Sequence, residues 1–184
     1  ATWPNPLTIV VAIAIIGTRQ LGLAVIMHEA AHRSFFSNKR TNDVATSWLA
    51  CYPIWSDLNP YRPYHLQHHA RTGGKEDPDL ELVLPFPITA SSFRRKAWRD
   101  LSGQTGIKFA KGAWQRTFGR FGEDPVARRA AIGVAATNAV LLGILAAAGH
   151  AELYLLWVVA WLTTNTFVTR LRSIAEHALT PDRL

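Results

Sequence analysis

At 184 residues the chain has room for one ordinary domain. Its single cysteine, Cys51, excludes an internal disulfide framework and fits a reducing compartment. Hydrophobic residues make up 48% and the net charge is +7, yet apolar blocks and one very basic stretch are segregated, so a mean hydropathy near zero describes neither.

The first block, Leu7 to Met27, is 21 residues long and contains "LTIVVAIAII". A helix needs about 20 mostly apolar residues to cross roughly 30 Å of hydrocarbon, so this block is predicted to span a membrane. Pro4 and Pro6 break the chain ahead of it, and Trp3 suits the interface. The block lacks a basic leader and runs straight into "MHEAAHRSFF", so it reads as a mature helix and not a signal peptide. The helix is expected over 7–33, carrying His28 and His32 past the bilayer. Arg19, the one basic residue inside the block, is expected to snorkel or to face the protein interior.

"SNKRTND" reads as a loop. "VATSWLACYPIW", 44–55, is apolar but too short to span, and suits an interfacial or re-entrant helix. A second histidine-bearing helix is expected over 60–70, with Asn59 as a possible N-cap and Pro60 in its first turn. "RTGGKEDPDLELVLPFP" is a loop punctuated by Gly and Pro, without a phosphate-binding fingerprint. Residues 89–129 hold ten Lys/Arg against Asp100, Glu123 and Asp124, interleaved with Phe93, Trp98, Phe109, Trp114 and Phe118. That pattern fits short amphipathic helices on a membrane surface, or a solvated flank.

Ile132–Gly149 and Leu153–Thr169 are two further apolar blocks, separated by His150, Ala151 and Glu152. They predict a membrane hairpin over 132–172. Of the 20 Lys and Arg, 19 lie in 28–131 and 170–184, outside the apolar blocks, which assigns those regions to the cytoplasm. A basic stretch held between membrane helices is a poor candidate for nucleic-acid binding. The fold class is therefore all-α: an integral membrane helical protein with cytoplasmic histidine-bearing helices and amphipathic interfacial helices, in one domain over 1–184.

Six of the seven histidines fall on the basic side: His28, His32, His65, His68, His69 and His177. Four residues apart on a helix is one face, so His28 pairs with His32 and His65 with His69, with His68 within the same arc as the latter pair. His177 follows the last membrane block on the side where it can join them, whereas His150 lies in the opposite loop. Two helices offering imidazoles in this way can enclose metal. "HEAAH" alone also fits the zinc helix of a membrane metalloprotease, with Glu29 as its base. That reading leaves "HLQHH" without a role. Six imidazoles exceed one tetrahedral zinc and suit two metals, with iron the sensible choice for oxygen chemistry. A non-enzymatic metal-binding membrane protein is the remaining alternative. Glu29 and Glu176 adjoin histidines and are candidates to orient their rings.

"HEAAH", then "HLQHH", then "RLRSIAEHAL" after a membrane hairpin, resembles the membrane fatty acid desaturase family over essentially the whole chain. The resemblance implies a non-haem di-iron centre held by three histidine boxes: His28 and His32 as the first, His65, His68 and His69 as the second, His177 as an additional ligand. It also implies molecular oxygen as co-substrate, a fatty acyl or related lipid substrate, and an external electron donor such as a ferredoxin or cytochrome. Related lipid hydroxylases and ketolases share the pattern. The family's third box and an upstream helix are missing here, so the chain is expected to be a piece truncated at both ends, without a complete di-iron site.

Overall fold

The computed structural model describes residues 5–177, which are helical with no β-strand among them. Among the described residues, three helices are long and apolar enough to cross a bilayer: Pro6–Ala31, Pro125–Ala147 and Ala151–Glu176. Only 11%, 28% and 11% of their apolar windows is buried within the chain. A water-soluble bundle would cover that surface with protein; here it is left for lipid. The all-α, membrane-spanning expectation holds.

Helix α1 (Pro6–Ala31) opens on a reciprocal cap. The Asn5 side chain accepts from the Thr8 N–H at 3.0 Å, and the Thr8 hydroxyl accepts from the Asn5 N–H at 3.1 Å. It closes sooner than the expected 7–33, with His32 as the C-cap. Arg33 turns left-handed at φ 57°, and the N–H groups of Arg33 and Ser34 return to the carbonyls of Ala30 and Glu29 at 3.0 and 3.3 Å. That two-bond closure satisfies the end carbonyls and fixes the exit of His32. Arg19 faces outward; it is Gln20 that is buried, and its amide donates to the Trp157 carbonyl at 2.9 Å.

Helix α2 (Lys39–Thr46) begins inside the segment expected as a loop, because the Asn38 side chain caps it by accepting from the Thr41 N–H at 3.0 Å. It loosens into a π-helical turn, Ser47–Cys51, then a 3₁₀ turn, Tyr52–Ile54, and stops at Trp55 with φ 60°. The apolar 44–55 segment thus forms the end of a longer helical run, and it re-enters the bundle. Asn138 donates to the Tyr52 carbonyl at 3.2 Å, Trp157 to Pro53 at 3.2 Å and Trp161 to Ile54 at 2.9 Å. Irregular backbone survives at membrane depth only when its polar groups find protein partners, and these three carbonyls each have one. Gly133 lets the segment in: a Cβ there would stand 2.2 Å from the Tyr52 ring.

Helix α3 (Leu58–Arg71) is capped by Asp57, which accepts from the Asn59 N–H at 3.1 Å, so the cap lies two residues before the expected Asn59. Short α4 (Leu80–Val83) leads to α5 (Ala90–Leu101) and α6 (Gln104–Thr117), the two amphipathic helices of the basic stretch. Asp124 caps α7 (Pro125–Ala147), with Pro125 at its first position. Beyond the turn at His150, α8 (Tyr154–Leu162) and α9 (Thr164–His177) return.

The hairpin is wider than the expected 132–172 and is interrupted at Thr163 (φ −120°, ψ −85°). The hydroxyl of Thr163 donates to the Val159 carbonyl at 2.6 Å and that of Thr166 to Thr163 at 2.6 Å, a pattern that bends helices. The α5–α6 corner presses on this bend. Gly106 approaches so closely that a Cβ would lie 2.1 Å from the Leu162 carbonyl oxygen. The core sits where α1, the re-entrant segment, α3 and α7 meet: Met27, Ala30, Ala31, Cys51, Tyr52, Leu58, Ala130 and Val134. Its alanines allow helices to pack closely below the histidines.

Candidate metal centre

The histidines emerge from the C-terminal end of α1 and the C-terminal half of α3. Arg62, one turn ahead of His65, ties them together. Its guanidinium donates to the carbonyls of Ala30 and Ala31 at 3.0 and 3.1 Å and to both carboxylate oxygens of Asp43, one of them at 3.0 Å. Buried Asn42 adds a bond to the Ala30 carbonyl at 2.9 Å. The C-terminal carbonyls of α1, which no intrahelical N–H can reach, therefore become the joint with α2 and α3.

This joint brings His28, His32, His65 and His69 together, one ring nitrogen from each lying within 4.8 Å of the others. The Nε2 of His65 stands 2.9 Å from that of His32 and 3.0 Å from that of His69. Burial, reinforced by the neighbouring imidazoles, pushes the His65 pKa down to about 3. It is therefore neutral at ordinary pH, the state in which an imidazole can offer a lone pair to metal. Nitrogens sharing one ion at about 2.1 Å lie no more than about 4.2 Å apart. The two short pairs meet that limit; the group of four, spread over as much as 4.8 Å, is looser than one ion requires. The donor set fits a first-row metal that accepts imidazole, iron included.

Ring orientation is set from behind. Glu29 meets the Nδ1 of His28 at 3.0 Å, and Tyr61 stacks on His65 with 5.2 Å between centroids and 9° between planes. His68 turns elsewhere: its Nδ1 meets the Asp77 carboxylate at 2.7 Å, deep inside. Asp77 is held by the N–H groups of Gly73 and Asp79 at 2.9 and 2.8 Å. Burial alone would raise its pKa, but the His68 bond and these two amides outweigh it and hold the carboxyl below the usual range. Gly73 makes this possible at φ 75°, a conformation that a side chain disfavours. Asp77 was not singled out in the sequence; the cue available there was "GGKEDPD", a turn-rich stretch in which Asp77 stands nine residues beyond His68.

Glu176 pairs with Arg172 at 2.8 Å on α9. His177 ends α9, and its side chain lies outside the described residues. His150 sits exposed in the far turn beside Glu152, remote from the other imidazoles. Next to α3 opens a cavity of about 880 Å³. Met27, Trp55, Tyr61, Tyr64, Ala113 and Ala130 give it an apolar wall, while Arg116 and Arg120 line its polar part. Burial pushes the Tyr61 hydroxyl up to about 12, so it faces the cavity as a neutral phenol.

The fatty acid desaturase family model matches residues 1–183. The chain is 30% identical to a dihydrorhizobitoxine desaturase of Bradyrhizobium elkanii, over 96% of its own length and 52% of that protein. It is 45% identical to a chloroplastic omega-6 fatty acid desaturase of Glycine max and 37% to that of Spinacia oleracea, in each case over 82 residues, 44% of the chain and 19% and 18% of the relative. The chain thus spans about half the length of the first of these relatives and less of the others. No solved structure matches it at comparable significance.

Proposed function

The chain belongs to the fatty acid desaturase family, and from that premise we propose that it carries the first two histidine boxes of an oxygen-dependent enzyme that desaturates an acyl chain. The observation that carries the proposal is the convergence of four imidazoles from two helices, with a cavity next to α3 that has one apolar wall. His28, His32, His65 and His69 would hold metal, with His68 and His177 completing this chain's share. Two non-haem irons, when bound, supply one-electron chemistry with molecular oxygen that can take hydrogen from an unactivated methylene, which side-chain acids and bases cannot do.

The protein's own part is placement. Glu29 and Asp77 hold the Nδ1 atoms of His28 and His68, which would leave Nε2 of each ring as the nitrogen available to metal. Tyr61 locks the plane of His65 and forms the wall between that ring and the cavity. The apolar wall of the cavity would take the acyl chain along Met27, Trp55 and Tyr61. Electrons would come from an external ferredoxin or cytochrome. The histidine side would face the cytoplasm, supported by the concentration of Lys and Arg there.

The zinc protease reading of "HEAAH" is not favoured. A catalytic base has to face metal-bound water, and the Glu29 carboxylate is engaged by His28 and by the Ser34 hydroxyl. Metal analysis of the full-length protein tests the choice. About two irons per chain are expected, lost together in His28→Ala or His65→Ala and retained in His150→Ala. One zinc and no iron, with peptide cleavage abolished by Glu29→Gln, would overturn the desaturase assignment.

A further inference from the structure

The exposed face of α5 is unlike the rest of the surface. Trp98 is 68% exposed, the most exposed aromatic among the described residues. Arg94 and Arg95 lie one turn before it, and Arg99 follows it, all three exposed. On the opposite face, Asp100 is completely buried and bonded to Arg170 of α9 and to the Thr105 hydroxyl. The acidic residue of α5 is thus spent inside. Arg94, Arg95 and Arg99 meet no carboxylate among the described residues, and Arg95 reaches only the Ser92 hydroxyl, at 3.3 Å.

The depth of this face follows from what Asp100 touches. Arg170 lies 19 residues beyond Ala151 along the third spanning run, at most about 29 Å at 1.5 Å per residue. That matches the roughly 30 Å thickness of the hydrocarbon layer, so the Asp100–Arg170 contact marks its inner edge. Gly106, touching Leu162 eight residues before Arg170, lies deeper than that edge, within the apolar layer. The α5–α6 corner therefore dips into the leaflet, with exposed Leu101 and Ile107 at its tip. The three arginines, one or two turns back along α5, lie at headgroup level and point away from the bundle.

We infer that the Trp98 face of α5, with Arg94, Arg95 and Arg99, binds anionic phospholipid headgroups of the leaflet on the histidine side. Tryptophan belongs at that level, its ring in the interface. Guanidiniums without carboxylate partners accept phosphate in bidentate fashion. Each basic residue near a negatively charged leaflet favours anionic lipid by up to about fivefold. The site is independent of the metal and of turnover.

The test uses the full-length protein in vesicles of phosphatidylcholine containing about one-quarter phosphatidylglycerol. A fluorophore is placed at Ser91→Cys, on the same face as Trp98; Cys51 is buried and does not compete. Quenching by spin-labelled phosphatidylglycerol is compared with quenching by spin-labelled phosphatidylcholine. Several-fold preference for the anionic lipid is expected, falling to parity in the triple variant Arg94→Gln, Arg95→Gln, Arg99→Gln and reduced by high salt. Preference unchanged in that variant would overturn the inference. So would parity in the unsubstituted face together with protection of the fluorophore by a soluble acidic protein, which would make it a protein-docking surface.

Discussion

Replacing Arg62 with methionine removes all four bonds that Arg62 donates at the joint between the histidine helices while keeping part of its apolar stem. Two of the lost bonds go to the Ala30 and Ala31 carbonyls and two to Asp43. The Ala30 carbonyl keeps Asn42 at 2.9 Å, so only the Ala31 carbonyl loses its donor outright, costing about 1–2 kcal/mol. The Asp43 side chain is 35% exposed, and water replaces much of what the ion pair provided, so about 1 kcal/mol is assigned there. A total of about 2–3 kcal/mol corresponds to roughly 5–10 °C in Tm for a chain of this size. The loss should extend to the metal centre, because α1 and α3 hold their imidazoles only in this relative position. Metal affinity of the full-length protein should fall on the order of 10- to 100-fold. Differential scanning fluorimetry in nanodiscs and competition with a chelator read the two effects separately. Arg62→Lys should recover part of the stability but less of the affinity, since one ammonium cannot span Ala31 and Asp43 together. If Arg62→Met left the metal affinity unchanged, the joint would be a structural tie without influence on the site.

Asp43 supplies a pH signature for the same joint: Arg62, its largest influence, lowers its pKa from the ordinary 3.8. A carboxyl depressed in the folded state contributes above pH 3.8 and loses that contribution as pH falls through the lower folded value. The acid limb of a stability curve should therefore flatten in Asp43→Asn. Asp77→Asn should weaken metal binding on the order of tenfold or more, by loosening the tautomer of His68, with Tm read alongside; unchanged affinity would dismiss Asp77 as a positioning group. Gly106→Val should destabilise the α5–α6 corner, since the new Cβ would meet backbone at Leu162, and full retention of Tm would contradict that contact. Cysteines at Gln67, Lys111 and Ala151 should label from outside intact cells only at 151, and labelling at 67 would separate the histidines from the cytoplasm.

What could be read in the sequence was what repeats. Apolar length announced the three spanning runs, and four-residue spacing put His28 with His32 and His65 with His69 on shared faces. Boundaries set by a single side chain were less legible. Asn38 and Asp57 both compete for backbone N–H groups two or three residues ahead, and each started its helix before the expected residue. The role of Asp77 depends on a reversal at Gly73, and the Arg62 joint on carbonyls that carry no residue identity at all. The interruption at Thr163 follows from hydroxyls bonding backward and a glycine corner pressing from 57 residues upstream at Gly106, which local pattern does not encode.

The three captured carbonyls of the re-entrant segment also set an order of assembly. Their donors lie 86, 104 and 107 residues downstream. At about 5–20 residues per second of synthesis, Tyr52, Pro53 and Ile54 are made roughly 5–20 seconds before Asn138, Trp157 and Trp161 exist. During that interval a bare carbonyl is far more stable in water than in lipid. The segment must therefore wait at the aqueous surface with the histidine helix behind it. It enters only when the returning helix pair has been inserted. Maturation of the first two boxes is thus coupled to the completion of a hairpin that contributes no ligand to the four-imidazole group, and a nascent chain stalled before Trp161 would leave those boxes undocked.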